Sequence, residues 1–278
     1  MPTFRDKLAA AQQRNDSWLC VGLDPDLTRL PDLPAFRTPE GLAAFCRAIV
    51  EATADVVSAF KPNLAFFLAY GSAGVHALED TLAAIPDDIP VILDAKSGDI
   101  GSTQRMYGQA AFEALGVDAL TVSPYVGDDA VLPLLDTYPG KGLFVLARTS
   151  NPAAGRFQDH PGEPPHLYEQ VVSAVQGWQI AHPESTLGLV VGATYEAELE
   201  ALRGRAPELP FLVPGVGAQG GTLDAAVAFG ATADGLGPVI NASRSVIYAS
   251  SGADFADAAR RAAVELRSAI NDLRNRSK

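Results

Sequence analysis

Residues 89–100 read IPVILDAKSGDI: an apolar run closed by alternating acids and a lysine, with glycine in the turn that follows. Four to six continuous apolar residues, rich in Val and Ile, are the pattern of a parallel strand covered on both sides. Seven further runs of this kind occur in the chain: WLCVGLDP from Trp18, VVSAFKPN from Val56, VDALTVSPY from Val117, GLFVLARTS from Gly142, LGLVVGAT from Leu187, PFLVPGVG from Pro210 and ADGLGPVIN from Ala233. They recur about every 31 residues, close to the length of one strand–helix–strand unit. Between them the apolar period becomes helical. Leu42, Phe45 and Ile49 form one stripe, behind Thr38 as N-cap and Pro39 at the first helical position. Val75, Leu78, Leu82 and Ile85 form another, and Phe255, Ala259, Ala262, Leu266, Ile270 and Leu273 a third, ending in the basic RNRSK.

Eight alternations without a break in composition predict an α/β protein, a single (β/α)8 TIM barrel over 1–278. A doubly wound open sheet is the alternative, but no GxGxxG follows the first strand. The one irregular stretch, TSNPAAGRFQDHPGEPPH at 149–166, follows the fifth strand. In a barrel it opens on the catalytic face, where a lid-like insertion and a plain connecting loop are equally weighted readings.

The chain has 278 residues, is 47% hydrophobic and 19% charged, and carries a formal net charge of -12. It buries a sizeable core, and its acidity argues against nucleic acid or an anionic membrane surface as a general partner. Cys20 and Cys46 lie in apolar runs and read as reduced core thiols. With no apolar signal core and no 18-residue apolar stretch, a cytoplasmic location is expected.

In a barrel, chemistry collects where strands end. The ends here carry Asp24, Lys61, Asp94, Lys96, Asp99, Ser123 and Arg148. The chain has only five lysines, at 7, 61, 96, 141 and 278, and two of them stand at strand ends. Asp94 and Lys96 are two apart, so in a regular strand both side chains share one face. Asp99 lies in the following loop, and Ser102 or Thr103 is placed to cap the next helix. A satisfied ion pair that only closes the barrel is the competing reading of DxK. PGVGAQGG at 214–221 and NASRS at 241–245 fall after strands seven and eight, the usual barrel phosphate site, where glycine admits a ligand to the backbone and Arg244 supplies a fork. The four histidines show no metal-ligand spacing, so no metal is expected, and without a nucleophile elbow acyl-transfer chemistry has little support.

DAKSGDIGST at 94–103 resembles the DxKxxDI motif of the orotidine 5′-phosphate decarboxylases, and GLDP at 22–25, FKPN at 60–63, TVSPYVG at 121–127, Gln219 and SRS at 243–245 follow in the same order. FKPN, ARTSNP and the length look like the longer bacterial branch, type 2. The resemblance implies decarboxylation of orotidine 5′-phosphate to uridine 5′-phosphate and CO2 in pyrimidine biosynthesis. It implies a charged tetrad of Lys61, Asp94, Lys96 and Asp99, with Lys96 delivering a proton to C6. It further implies that Asp24 binds a ribose hydroxyl, that Ser123 reads the pyrimidine edge, and that Gln219, Ser243 and Arg244 lie on the substrate and its phosphate. Asp99, Ile100 and Thr103 would reach into the neighbouring subunit of a homodimer. Arg156, in the 149–166 loop, is the candidate for closure over the phosphate. Two other readings compete: a metal-dependent phosphosugar lyase or epimerase on the same barrel, and a nucleotide-binding barrel without turnover.

Overall fold

The computed structural model describes residues 2–36, 38–193, 196–216 and 223–276. Every expected apolar run contains a strand: β1 (Leu19–Leu23), β2 (Ala59–Pro62), β3 (Ile92–Ser97), β4 (Ala119–Val122), β5 (Gly142–Arg148), β6 (Thr186–Val191), β7 (Phe211–Pro214) and β8 (Val239–Ala242). All pairs are parallel, in the order β2-β1-β8-β7-β6-β5-β4-β3. The two ends of that sheet meet through bridges Phe60↔Val91 and Asn63↔Asp94, which close the ring. A parallel ring buries both of its faces, which is why the strands read as continuous rather than alternating hydrophobic runs.

Each strand sends a side chain into one cluster inside the barrel, Cys20, Ala59, Ile92, Ala119, Phe144, Val190, Leu212 and Val239, whose Val190 and Leu212 reach the cavity above. The helix Phe4–Arg14 plugs the floor with Phe4 and Leu8, the Phe4 ring standing edge-on to Phe144 at 5.7 Å. Gly142 lies so close to these rings that a Cβ there would sit 2.5 Å from Phe4. A second, larger core packs the outside of the strands against the helices.

The helix expected around 42–49 spans Gly41–Thr53, later than the Thr38 cap implies. Thr38 and Pro39 instead form a tight turn whose carbonyls accept from the Gly41 and Leu42 N–H groups, and Glu40 occupies the N-cap position. The final helix, Phe255–Arg276, follows its apolar stripe and carries Arg274 and Arg276 in the last turn. Among the described residues no helix is long and apolar enough to cross a membrane. Cys20 and Cys46 are buried free thiols, both pushed up to about 12 by burial.

Candidate active site

The upper end of the barrel opens into a cavity of about 430 Å³. Asp24, Lys61, Asp94, Lys96, Ser243 and Arg244 all line it. Asp94 stands between the two lysines: Lys61 Nζ donates to its Oδ2 at 2.8 Å and Lys96 Nζ to its Oδ1 at 2.5 Å. The lysines are not equivalent. The Lys61 side chain is 4% exposed and that of Lys96 49%, so one holds the carboxylate from inside while the other faces the open cavity.

Burial alone would raise the Asp94 pKa, but the two ammonium groups beside it outweigh burial and hold the carboxyl at about 2. Burial likewise pushes the Lys61 ammonium down, and the charges of Asp94 and Asp24 more than compensate, so its pKa ends above the ordinary lysine value. The site therefore holds a fixed pattern of plus, minus, plus at neutral pH.

Simple strand alternation does not place Lys96. Its φ is +50°, in the left-handed region that costs a residue with a side chain about 1 kcal/mol or more. Between Leu93 and Ser97 the pairing of β3 with β4 shifts register, so a bulge re-aims this part of the strand. Thr121 on β4 secures the bulge: its Oγ1 accepts from the Lys96 N–H at 2.9 Å and donates to Asp94 Oδ1 at 3.1 Å. Thr121 was not among the expected site residues. A polar side chain inside the fully buried ALTV strand is the signal that could have found it.

On the opposite rim Ser243 Oγ donates to Asp24 Oδ2 at 2.6 Å. The Tyr248 hydroxyl donates to the Asp24 carbonyl at 2.9 Å and accepts from the Asp26 N–H at 2.7 Å, tying the loop after β1 to the turn after β8. Arg244 is exposed at the cavity edge beside Gly215, Val216 and Ser245. Gln219 lies outside the described residues.

The remaining expected residues stand elsewhere. Asp99 is half-buried and Ile100 and Thr103 are exposed, and none of the three lines this chain's cavity. The helix Gly101–Gly108 takes Ile100 as its N-cap residue, without a side-chain cap. Ser102 and Thr103 fall inside the helix, while the Asp99 carboxylate accepts from the Ile100 N–H and Gln104 Oε1 from the Asp99 N–H. Ser123 is half-buried beside Gly98 and does not line the cavity; the loop after β5 supplies Thr149, Ser150, Asn151 and Gln158 instead. That loop contains a short helix, Gly155–Gln158, and Gln158 Oε1 accepts from the Thr149 N–H at 2.9 Å while Arg148 reaches Asp159 at 3.3 Å. Arg156 is exposed, lies over the ring of Phe157, and is not in the cavity wall. Among the described residues no three His, Cys, Asp or Glu side chains gather as a metal site.

A sequence profile described as orotidine 5′-phosphate decarboxylase / HUMPS family matches residues 17–261. The chain belongs to that family. It is 50% identical over 277 residues to an orotidine 5′-phosphate decarboxylase of Thermomicrobium roseum, covering 98% of this chain and 96% of the relative. A relative of the same name from Herpetosiphon aurantiacus is 51% identical over 265 residues, with 94% and 95% covered. The crystal structure of a Toxoplasma gondii protein described as a putative orotidine-monophosphate-decarboxylase superposes with a TM-score of 0.88 at 38% identity, covering 97% of this chain and 96% of that one. The name these relatives share is that of a carboxy-lyase, and the family's barrel is the fold of this chain.

Proposed function

We propose that this chain decarboxylates orotidine 5′-phosphate to uridine 5′-phosphate in pyrimidine biosynthesis, as a cytoplasmic enzyme. The observation that carries the reading is Asp94 clamped between a buried and a half-exposed lysine at the barrel mouth, in a chain half identical to decarboxylases. Heterolysis of the bond from C6 to the carboxylate leaves an electron pair in the ring plane, where no π-system takes it up. Stabilisation must then come from a fixed cation. Lys96 is that cation: its ammonium meets charge that develops only in the transition state, and it gives its proton to C6 as CO2 departs. Asp94 holds Lys96 in place and faces the substrate carboxylate, and Lys61 keeps Asp94 ionised. The route as drawn uses no metal and no cofactor.

Arg244 and the backbone after β7 would take the phosphate, and Asp24 a ribose hydroxyl. Because Thr149, Ser150 and Asn151 face the cavity and Ser123 does not, the loop after β5 is the better candidate for reading the pyrimidine edge. The same loop, pinned at its base through Gln158, is the proposed lid, without a role for Arg156. Asp99 and Thr103 stand outside this chain's own cavity, on the turn and helix that expose Ile100, Met106 and Tyr107, and Tyr125 and Val126 are exposed after β4. We read this apolar patch as the face that a second copy covers, bringing Asp99 to the neighbouring site in a homodimer.

The test is the loss of orotate absorbance when purified protein meets orotidine 5′-phosphate. Lys96→Ala should retain the fold and lose at least about a thousand-fold in kcat, the scale of a missing transition-state charge contact. Absence of turnover by the unmutated protein would overturn the assignment, and equal turnover by the variant would overturn the mechanism.

A further inference from the structure

Two acceptor atoms in the cavity wall are buried and receive no hydrogen bond from any described residue: Asp24 Oδ1 and Asn241 Oδ1. Asn241 lies on β8, 9% exposed, paired in register with Cys20 on one side and Pro214 on the other. A buried carbonyl oxygen without a donor is costly in the free protein, so its presence in a wall that also holds Leu212, Val190 and Leu146 calls for a reason.

Position supplies the reason. An ideal Cβ on Gly22 would stand 3.2 Å from Asn241 Oδ1, 3.1 Å from Ser243 Oγ and 2.8 Å from Ser243 Cβ. Ser243 in turn bonds Asp24. With no side chain on Gly22, Asn241 and the Ser243–Asp24 pair close in together on one corner between β1 and β8. Resting on the ribonucleotide reading above, a ligand with its phosphate at Arg244 after β8 and its reacting carbon at Lys96 on β3 must run its sugar past this corner. The pyrimidine, by contrast, extends toward the loop after β5, across the barrel from β1. The donors that a ribose offers to bare acceptors are its hydroxyls.

We propose that Asn241 is a specificity-determining residue: its Oδ1 accepts a hydrogen bond from a ribose hydroxyl of the bound nucleotide and selects ribonucleotides over deoxynucleotides. A site that hydrogen-bonds a hydroxyl rejects the analogue lacking it, because its own buried group is then left without a partner.

The experiment measures binding of uridine 5′-phosphate and of its 2′-deoxy and 3′-deoxy forms, by titration calorimetry, to the unmutated protein and to Asn241→Leu. The leucine has nearly the same size and no acceptor. It should weaken uridine 5′-phosphate roughly five- to ten-fold, the scale of one hydrogen bond, and leave one of the two deoxy forms bound equally by both proteins. Without ligand the variant should melt no lower than the unmutated protein, since it removes an acceptor that has no donor. Equal weakening of all three ligands, no weakening of any, or a marked fall in melting temperature of the free variant would overturn the proposal. The nucleotide reading fails separately, and takes this one with it, if the unmutated protein neither binds uridine 5′-phosphate nor turns over orotidine 5′-phosphate. Asn241→Ser, which keeps a hydroxyl acceptor, should recover part of the discrimination.

Discussion

The two ends of the barrel set polar side chains in different surroundings. At the lower end several tie the chain together. Arg203 alone donates to the carbonyls of Ala206, Pro207, Leu209, Phe229 and Gly230 and lies 3.7 Å over the Phe211 ring. Lys7 pairs with Asp118, whose carboxylate also accepts from the Val91 N–H. At the upper end Lys96 holds a left-handed backbone, and Asp24 and Asn241 each keep an acceptor without a donor among the described residues. Left-handed Asp16 and the unpaired Ser185 and Asn271 oxygens do the same at the lower end, but the upper groups line the catalytic-face cavity. What sets the upper end apart is that its charged and polar groups border the cavity, so part of their bonding is open to a ligand. Substitutions at the two ends should accordingly separate folding from turnover.

The largest effect on folding is expected where the two roles coincide. Lys61→Ala leaves the Asp94 carboxylate buried with one partner fewer, and should cost about 3 kcal/mol while also reducing turnover. Chemical denaturation alongside steady-state kinetics measures both; loss of only one of them would break the link drawn between clamp and catalysis. Next comes the floor. Arg203→Ala should lower stability by about 2–3 kcal/mol through the lost carbonyl bonds, with kcat per folded molecule unchanged. A kcat that falls with it would erase the contrast between the ends.

The smallest effects are those of pH. The folded pKa of Asp94, about 2, lies below the ordinary 3.8, so its contribution to stability is full above the ordinary value and is lost as pH falls through about 2. Removing Lys61 should move that acid limb upward, which urea titrations across the acid range would detect. Among the described residues no histidine lines the cavity, so kcat should be flat across neutrality. kcat/KM should fall below about pH 6, where a phosphate monoester loses its second charge. An inflection in kcat near pH 6.5 would require a group that this account does not contain.

The strands were legible because both faces of a parallel barrel are buried, so each of the eight leaves an uninterrupted apolar run. The charged set at strand ends was legible for a related reason. Lys61 and Lys96 are rare residues at the ends of apolar strands, and Lys61 is buried where a charge requires a partner. Helix starts were less so: at Thr38 and at Ser102 the sequence offers a capping side chain, but a tight turn and an extended Ile100 begin the helices instead. Thr121, Asn241 and the residues after β5 gave weak local signals, because their importance comes from which strands stand opposite one another. Ser123 shows the same difficulty from the other side: it follows a strand like the rest, yet the chain turns it toward Gly98 rather than the cavity.

Seven of the eight strand junctions are ladders, the shortest being the two pairs of β6 with β7, whereas β2 meets β3 through two isolated bridges. Lys61 and Asp94 face each other across that junction, so an ion pair between side chains adds to the two backbone bridges there. The spacing of the charges and the closure of the barrel are thus a single mechanical adjustment. A change anywhere in the chain that tightens or loosens this seam will retune the distance from Asp94 to its two lysines without touching any residue in the cavity. Variants that alter turnover from remote positions should therefore concentrate along β2 and β3 and the helices behind them.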